Sequence, residues 1–492
     1  MSGLLIAGTT SDAGKSVVTT GVCRAFARRG VAVAPFKAQN MSNNSMVCAA
    51  PDGSTAEIGR AQWVQALAAG VPPEPAMNPV LLKPGSDRRS HVVLMGQPAG
   101  EVSSADWLHG RRHLASAAHA AYDDLASRYE VVVAEGAGSP AEINLREGDY
   151  VNMGLAQHAE LPTVVVGDID RGGVFAALYG TLALLDGADQ RLVAGFVINK
   201  FRGDLDLLAP GLATLKALTG RAVHGVLPWD PRLWLDSEDA LDLQTFRPAA
   251  TGGRKVAVIR LPRISNFTDI DALRLEPALE VVYAADARDL AGADLIVLPG
   301  TRATIADLAW VRSRGLDAAI GEHAAYGRPV LGICGGFQML GRTIADPLGV
   351  EGRSGAEVAG LRLLDVRTDF AADKTLRLPT GEAFGVPARG YEIHHGRITA
   401  GSGEPFLGGV RAGQVFGTMW HGSLEGDDLR RAFLAHSLQL APSPVSFAKA
   451  REHRLDLLGD LVETHLDVDA LLRLARDGLP ADPPVLLTGS RP

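Results

Sequence analysis

The chain has 492 residues, too many for one hydrophobic core, so two or three domains are expected. Its 46% hydrophobic and 21% charged content is that of an ordinary globular protein. A formal net charge of −8 argues against nucleic acid or an anionic membrane as the main partner. Three cysteines form no disulfide framework, and neither a signal peptide nor a membrane-spanning stretch is visible. These features favour a reduced, cytoplasmic protein.

Short β-branched runs alternate with helical patterns along the whole chain. In order they are LLIAG, VAVAPFK, YEVVVAEG, LPTVVVGD, LVAGFVINK, KVAVIRL, DLIVLPG and PVLGICG. Continuous apolar runs fit the central strands of a parallel sheet, which are buried on both faces. Because helical patterns separate the runs, we predict an α/β fold with two doubly wound domains.

Breaks in composition predict where these domains end. A stretch rich in Pro, Gly and Ala predicts a linker at residues 246–254, between domains at 1–245 and 255–441. Leucines at helical spacing predict that residues 442–492 contain amphipathic helices that pack on the body of the protein, followed by a loose tail.

The first run leads into a glycine-rich loop, GTTSDAGKS, and then a helical pattern. Backbone N–H groups of such a loop, with a helix N-terminus behind them, bind phosphate. Lys15 would neutralise the β- and γ-phosphates and Ser16 would ligate Mg²⁺. Five residues separate Gly8 from Gly14, one more than in the strict motif. The loop predicts an ATP site, and the alternative is a glycine-rich turn with a chance lysine.

Polar residues also end later runs. Glu135 follows one strand, and Asp168 and Asp170 follow the next. Together with Ser16, Glu135 and Asp168 could hold Mg²⁺ beside the triphosphate, although a strand-end aspartate often only caps the following helix. Asn199 and Lys200 end another run and could bind the nucleotide base.

The loop, with Lys37 ending the second strand and EGAG later, resembles the dethiobiotin synthetase type of P-loop domain. That resemblance implies that ATP phosphorylates a carboxyl group. The predicted nucleotide-binding set consists of Gly8, Asp12, Gly14, Lys15, Ser16, Asn199 and Lys200.

Four longer strings, PFKAQNMSNNS, NPVLLKP, EGAGSPAEINL and GDIDRGGVFA, are similar to the cobyric acid synthase family of cobalamin biosynthesis. The resemblance covers nearly the whole chain. It implies a corrinoid substrate, adenosylcobyrinic acid a,c-diamide, amidated at its b, d, e and g side chains with glutamine as co-substrate. Contacts to this substrate or to phosphate are expected from the side chains of Lys37, Gln39, Asn40, Asn43 and Asn44.

The string GICGG, around Cys334, fits the pattern G-x-C-x-G. Its glycines allow a sharp strand-to-helix turn that exposes the sulfur, with the Gly335 N–H as an oxyanion donor and Gly300 as a second. A buried cysteine can also simply fill a core gap. A cysteine nucleophile needs a base, and the candidates are His394, His395 and His421.

This half resembles the class I glutamine amidotransferase domain, in which the nucleophile matches Cys334 and the base matches His421. Many such domains carry a Glu two residues after the histidine, where this chain has Ser423; the nearest acid is Glu425. The sequence therefore does not identify the carboxylate that would orient the histidine. The resemblance implies that His394 and His395 are glutamine-site or structural residues.

Two alternatives remain at the level of sequence. Cobyrinic acid a,c-diamide synthase has the same domain order and chemistry on a less amidated corrinoid. A ParA/MinD-like switch ATPase would share the first domain but would not need Cys334 and His421.

Overall fold

The computed structural model describes residues 2–86, 89–103, 111–233, 253–479 and 483–486. The chain forms two compact units. The first unit comprises Met1–Met41, Cys48–Leu235 and Glu452–Pro492, and the second comprises Ser42–Val47 and Asp236–Arg451. The prediction of a two-domain α/β architecture is confirmed.

The predicted domain boundaries stay predictions. Residues 246–252 of the predicted linker, and 480–482 and 487–492 of the predicted tail, lie outside the described residues. The two units also have two features that the predicted boundaries lack. Residues 42–47 group with the second unit, and residues 452–492 group with the first.

The first half of the chain contains twelve strands and seven α-helices within its described residues. The strands are β1 (Gly3–Gly8), β2 (Val33–Phe36), β3 (Gln39–Met41), β4 (Ser45–Ala49), β5 (Thr55–Gly59), β6 (Val80–Ser86), β7 (Arg89–Leu94), β8 (Gln97–Ser103), β9 (Val131–Glu135), β10 (Thr163–Asp168), β11 (Val193–Phe201) and β12 (Ala222–Pro228). The helices are α1 (Lys15–Arg28), α2 (Arg60–Ala69), α3 (Arg112–Arg128), α4 (Met153–Ala159), α5 (Val174–Leu184), α6 (Gly187–Leu192) and α7 (Leu205–Thr219). Short 3₁₀-helices span Pro75–Met77 and Ile143–Gly148.

A six-stranded parallel sheet forms the centre of the first unit, in the order β12-β11-β10-β1-β9-β2. The chain builds one side of β1 with β2 and β9 and then the other side with β10 to β12. Open α/β sheets bind ligands at such a point of reversal, beyond the carboxyl ends of the strands. The end of β1, which leads into the glycine-rich loop, therefore lies at the expected ligand-binding edge.

The second half of the chain contains thirteen further strands and seven further α-helices in its described part. The strands are β13 (Arg254–Ile259), β14 (Leu279–Ala284), β15 (Leu295–Leu298), β16 (Val330–Ile333), β17 (Thr343–Asp346), β18 (Ala356–Ala359), β19 (Val366–Arg377), β20 (Thr380–Ala383), β21 (Val386–Arg389), β22 (Glu392–Ala400), β23 (Glu404–Phe406), β24 (Gly409–Ala412) and β25 (Val415–Thr418). The helices are α8 (Asp271–Arg274), α9 (Thr304–Ser313), α10 (Leu316–Ala325), α11 (Gly335–Leu340), α12 (Asp427–Leu438), α13 (Phe447–His465) and α14 (Val468–Asp477). Three 3₁₀-helices span Phe267–Ile270, Ala287–Leu290 and Ser423–Glu425.

The main sheet of the second unit has the order β14-β13-β15-β16-β25-β24-β23. Its first five strands are parallel and its last two are antiparallel. Three neighbouring parallel strands, β15, β16 and β25, therefore end at one edge of the sheet. Each of the eight apolar runs in the sequence overlaps a strand of one of the two main sheets, because such runs can be buried on both faces.

Residues of the C-terminal helices lie in one core with residues of the N-terminal half of the chain. Val462 and Leu471 lie in the same buried cluster as Val18 and Val22 of α1. Outside this core, Asp456 accepts hydrogen bonds from the guanidinium groups of Arg24 and Arg28. No helix among the described residues is long and apolar enough to cross a membrane.

Candidate active sites

The glycine-rich loop joins β1 to α1. Gly14 precedes α1 with φ 95°, a left-handed conformation that favours glycine. A Cβ atom at this position would lie 1.9 Å from Nδ2 of Asn199, which donates a hydrogen bond to the Ala13 carbonyl at 3.0 Å. The end of β11 thus braces the loop directly, and the predicted base-binding residue Asn199 contacts the loop backbone.

Lys15, the first residue of α1, points its ammonium group back at the loop. Its Nζ donates to the carbonyl oxygens of Thr10 at 2.9 Å, Ser11 at 3.2 Å and Gly138 at 3.1 Å. The lysine is buried, so its charge is held beside the N-terminus of α1. A buried cation beside a helix N-terminus forms a binding site for anions.

Glu135 ends β9 and is fully buried. Its Oε1 accepts hydrogen bonds from the Ser16 hydroxyl at 2.9 Å and the Lys37 ammonium at 2.8 Å. Its Oε2 accepts from Gln65 Nε2 at 2.5 Å. The structure therefore brings together the predicted residues Ser16, Lys37 and Glu135, and adds Gln65.

Asp168 ends β10, which lies on the opposite side of β1 from β9. Its Oδ2 is 2.8 Å from Nζ of Lys200, which also donates to the Asp12 carbonyl at 2.8 Å. Its Oδ1 accepts from the Asp170 backbone N–H at 2.9 Å, which makes a local turn. The helix that follows, α5, starts after Gly173 without a side-chain cap.

The predicted metal ligands thus divide between two strand ends, with Ser16 beside Glu135 and Asp168 beside Lys200. Within the part of the chain that the structure describes, no three His, Cys, Asp or Glu side chains cluster as a metal site. Ser16 and Glu135 remain adjacent hard oxygen donors, which are the kind that Mg²⁺ prefers.

The predicted substrate residues Gln39 and Asn40 lie on β3 with buried polar partners. Gln39 Oε1 accepts hydrogen bonds from the Tyr150 hydroxyl at 2.6 Å and from the Arg111 guanidinium, and Arg111 stacks on the Tyr150 ring. Asn40 Nδ2 donates to Gln62 Oε1 at 3.0 Å. Arg111 and Tyr150 were not predicted, because no local motif links them to Gln39.

In the second unit, Cys334 stands between β16 and α11. It has φ 49° and ψ −108°, a strained conformation for a residue with a side chain. A Cβ atom at Gly336 would lie 1.9 Å from the Leu298 carbonyl oxygen, so only glycine fits this turn. The Cys334 backbone N–H donates to the Thr418 carbonyl at 2.8 Å, which ties the turn to the end of β25.

His421 follows β25 and is 1% exposed. Its Nδ1 lies 2.7 Å from Oδ2 of Asp269, and Oδ1 of that carboxylate accepts from the Gly422 N–H at 2.7 Å. Burial disfavours the charged ring, but the charges of Asp269 and Cys334 and hydrogen bonds to both outweigh it. Together they raise the pKa of His421 to about 10. The structure therefore brings Cys334, His421 and Asp269 into one hydrogen-bonded line.

The two predicted oxyanion donors lie at neighbouring strand ends. A Cβ atom at Gly300 would be 2.8 Å from Cε1 of His421, and one at Gly335 would be 3.1 Å from the Thr301 backbone nitrogen. Gly300 thus lies close to the His421 ring, Gly335 directly follows Cys334, and neither position has room for an added side chain.

The other candidate bases make different contacts. Nδ1 of His394 lies 2.8 Å from the Gly396 carbonyl oxygen, and Nδ1 of His395 lies 3.2 Å from that of Ala371. Burial lowers the pKa of His394 to about 3 and that of His395 to about 4. Both rings are therefore held neutral, unlike His421.

Cys23 and Cys48 differ from Cys334 in their surroundings. Burial raises the pKa of the Cys23 thiol, and it raises that of Cys48 to about 12. Both thiols are thus unreactive at neutral pH.

The chain is similar over its whole length to known proteins. The chain is 73% identical over 491 residues to a cobyric acid synthase of Mycolicibacterium gilvum (strain PYR-GCK), and the match covers 100% of both chains. A cobyric acid synthase of Mycobacterium tuberculosis (strain ATCC 25618 / H37Rv) is also 73% identical, over 493 residues and 100% of both chains. The chain belongs to the cobyric acid synthase family. A cobyric acid synthase of Mycobacterium marinum (strain ATCC BAA-535 / M) is 72% identical over 491 residues, and this match also covers 100% of both chains.

Two family models match this member of the cobyric acid synthase family, and each covers one of its two sites. Residues 4–242 match the CobQ/CobB/MinD/ParA nucleotide binding domain, and residues 255–429 match the CobB/CobQ-like glutamine amidotransferase domain. The chain is therefore an enzyme of the glutamine-hydrolysing amidotransferase class. Neither the a,c-diamide synthase alternative nor the switch-ATPase alternative is favoured.

The sequence patterns did not predict Asp269, the acid that contacts His421 in this member of the cobyric acid synthase family. The local sequence has Ser423 at the usual place of the orienting acid and Glu425 as the nearest acid, and Glu425 instead pairs with Arg451 at 2.9 Å. Asp269 lies 152 residues before His421 in the chain. No spacing rule reaches across such a distance, so only the folded structure reveals the pair.

Proposed function

We propose that the protein converts adenosylcobyrinic acid a,c-diamide to cobyric acid, by ATP- and glutamine-dependent amidation of the b, d, e and g carboxylates. The observation that carries the proposal is full-length similarity to proteins named cobyric acid synthase, in a chain that has both a glutaminase-like and a phosphate-binding geometry. Such an enzyme would act on a small corrinoid in the cytoplasm.

The glutaminase half-reaction uses Cys334 as nucleophile and His421 as base. The thiol proton passes to His421, whose raised pKa favours the protonated ring, and the sulfur then attacks the side-chain amide carbon of glutamine. Asp269 orients the ring through Nδ1 and stabilises its charge. The tetrahedral oxyanion accepts hydrogen bonds from the Gly300 and Gly335 N–H groups. Ammonia leaves with the proton from His421, and water then hydrolyses the thioester to glutamate.

The synthetase half-reaction activates a carboxylate, which is otherwise a poor acceptor for ammonia. A carboxylate oxygen attacks the γ-phosphate of ATP, ADP leaves, and ammonia displaces phosphate from the resulting acyl phosphate. Lys15 and the N-terminus of α1 stabilise the charge on the transferring group. Asn199 and Lys200, at the end of β11, brace the loop through hydrogen bonds to the carbonyl oxygens of Ala13 and Asp12.

The oxygen atoms of Ser16 and Glu135, 2.9 Å apart, fit a magnesium site. Mg²⁺ bound there would neutralise phosphate charge. Asp168 could complete the site only by leaving Lys200, to which it is paired. We assign Lys37, Gln39 and Asn40 to phosphate or corrinoid contacts, because each side chain is buried and makes a hydrogen bond to another polar side chain. Asn43 and Asn44 belong to the same predicted set.

Mass analysis of the corrinoid tests the proposed substrate. The protein is incubated with glutamine, MgATP and adenosylcobyrinic acid a,c-diamide, and in parallel with cobyrinic acid that lacks the two amides. We expect four successive exchanges of OH for NH₂ on the a,c-diamide and none on cobyrinic acid. Two exchanges on cobyrinic acid, with none on the a,c-diamide, would support the a,c-diamide synthase alternative instead.

A further inference from the structure

A short segment from the N-terminal half of the chain forms part of the second unit. Residues 42–47 belong to that unit, although the residues before and after them belong to the first. Ser42, Asn44 and Ser45 are buried, and Ser45 is only 1% exposed. The Ser42 hydroxyl accepts a hydrogen bond from the Asn44 N–H at 3.0 Å, which gives the segment a defined turn.

The segment makes a buried hydrogen bond to Asn266. The Ser45 backbone N–H donates to Oδ1 of Asn266 at 3.0 Å, across 221 residues of sequence. Asn266 is 3% exposed and has φ 50° and ψ 39°, in the left-handed region. Asparagine before a helix usually accepts from that helix's own N–H groups. Here it makes no such cap, so its side chain is given over to Ser45.

The turn at Asn266 carries two parts of the glutaminase site. The Asn266 carbonyl accepts from the Asp269 N–H at 3.0 Å, and Asp269 orients His421. The preceding residue, Ser265, donates its N–H to the Gly300 carbonyl at 2.9 Å. A shift of this turn would therefore displace both the base and an oxyanion donor.

We propose that Asn266 is a positioning residue for glutamine hydrolysis, and that segment 42–47 fixes it in place through Ser45. The glutaminase site is then completed by the N-terminal half of the chain and is not built by residues 255–441 alone. This inference rests on the proposed function, because it assumes that Cys334, His421 and Asp269 hydrolyse glutamine.

Three full-length variants test the role of Asn266. Asn266→Gly keeps the left-handed backbone but removes the acceptor, Asn266→Asp keeps an acceptor, and Gln439→Gly is a control at an exposed position with φ 56°. We expect Asn266→Gly to lower kcat for glutamine hydrolysis roughly tenfold to a hundredfold, as small misplacements of catalytic groups do. Asn266→Asp and Gln439→Gly should stay near the parent, and ammonia-dependent amidation should be unchanged in all three.

Ser45→Pro removes the donor from the other side of the bond, at the first residue of a strand, where proline is best tolerated. It should lower kcat as Asn266→Gly does, and the double variant should lose no more than either single one. Parental glutamine hydrolysis by Asn266→Gly would overturn the inference. So would equal loss of glutamine- and ammonia-dependent activity, or independent, multiplying losses in the double variant. The proposed function fails separately, if the parent does not hydrolyse glutamine or Cys334→Ala still does.

Discussion

The two sites of this protein differ in how their charged groups are paired. In the second unit, Cys334, His421 and Asp269 are bonded to one another in the order that the chemistry needs. In the first unit, Lys15 is bonded to loop carbonyls and Glu135 to a lysine, a serine and a glutamine. The reactive groups of the second unit are thus paired with one another, whereas those of the first unit are paired with protein groups that phosphate or Mg²⁺ would have to replace.

The reaction classes explain this difference. A covalent nucleophile needs its base and orienting acid before substrate binds, and all three groups belong to the protein. Phosphoryl transfer depends on charges placed around phosphate oxygens that the ligand brings. Substitutions in the second unit should therefore affect only glutamine use, and those in the first should affect both nitrogen sources.

The largest expected effect is that of Cys334→Ala. Glutamine-dependent amidation should fall by roughly 10⁵-fold, because the covalent nucleophile is lost. Amidation with ammonium salt at alkaline pH should stay at the parental rate, since free ammonia needs no thioester. His421→Ala should show the same separation. Loss of both activities in a folded Cys334→Ala protein would contradict the assignment.

Lys15→Ala should lower amidation by roughly 10³-fold with either nitrogen source. The variant leaves charge on the transferring phosphoryl group uncompensated. Lys216→Ala, at an exposed position on α7, is the matched control and should behave as the parent. The measurement is corrinoid amide formed with glutamine and with ammonium. Full activity with one source alone would exclude Lys15 from the shared synthetase step.

Asp269→Asn should lower glutamine-dependent amidation by about 10²-fold, because the carboxylate that orients the His421 ring is lost. Ammonia-dependent amidation should be unchanged. Glu425→Gln is the control, since Glu425 is the acid nearest to His421 in the local sequence but pairs with Arg451. An unchanged rate for Asp269→Asn, with a reduced rate for Glu425→Gln, would reverse the two roles.

The loss of stability caused by Asp269→Asn should depend on pH. The pKa of His421 is raised from 6.5 to about 10 in the folded protein. Its stabilising contribution is therefore fully present below pH 6.5 and is lost as the pH rises through about 10. The difference in Tm between the parent and Asp269→Asn should shrink over this range. A difference that grows with pH would contradict a charged His421–Asp269 pair.

Glu135→Gln should have the smallest effect. It keeps the shape but removes a negative charge, so the magnesium concentration for half-maximal activity should rise roughly tenfold. Gln65→Glu, which adds a carboxylate to the same cluster, should not raise it. An unchanged magnesium titration for Glu135→Gln would leave Glu135 as a structural partner of Lys37.

Most of the features that the sequence predicted come from motifs of consecutive residues. The apolar runs correspond to strands of the two main sheets, and the loop before Lys15 and the turn at Cys334 are each contiguous in sequence. Contacts between distant residues could not be predicted in this way. Asp269 contacts His421 because the order of the strands places them together. Asn266 contacts Ser45 because residues 42–47 group with the second unit. Neither pair has a spacing that a sequence pattern could encode.

The central claim is that glutamine nitrogen reaches the corrinoid through Cys334. The most direct test supplies adenosylcobyrinic acid a,c-diamide, MgATP, glutamine with heavy nitrogen in its side-chain amide, and unlabelled ammonium. Mass analysis of the corrinoid should show heavy nitrogen among the new amides made by the parent, and only light nitrogen in those made by Cys334→Ala. Heavy nitrogen in the products of Cys334→Ala at the parental rate, or light nitrogen throughout the products of the parent, would contradict the account.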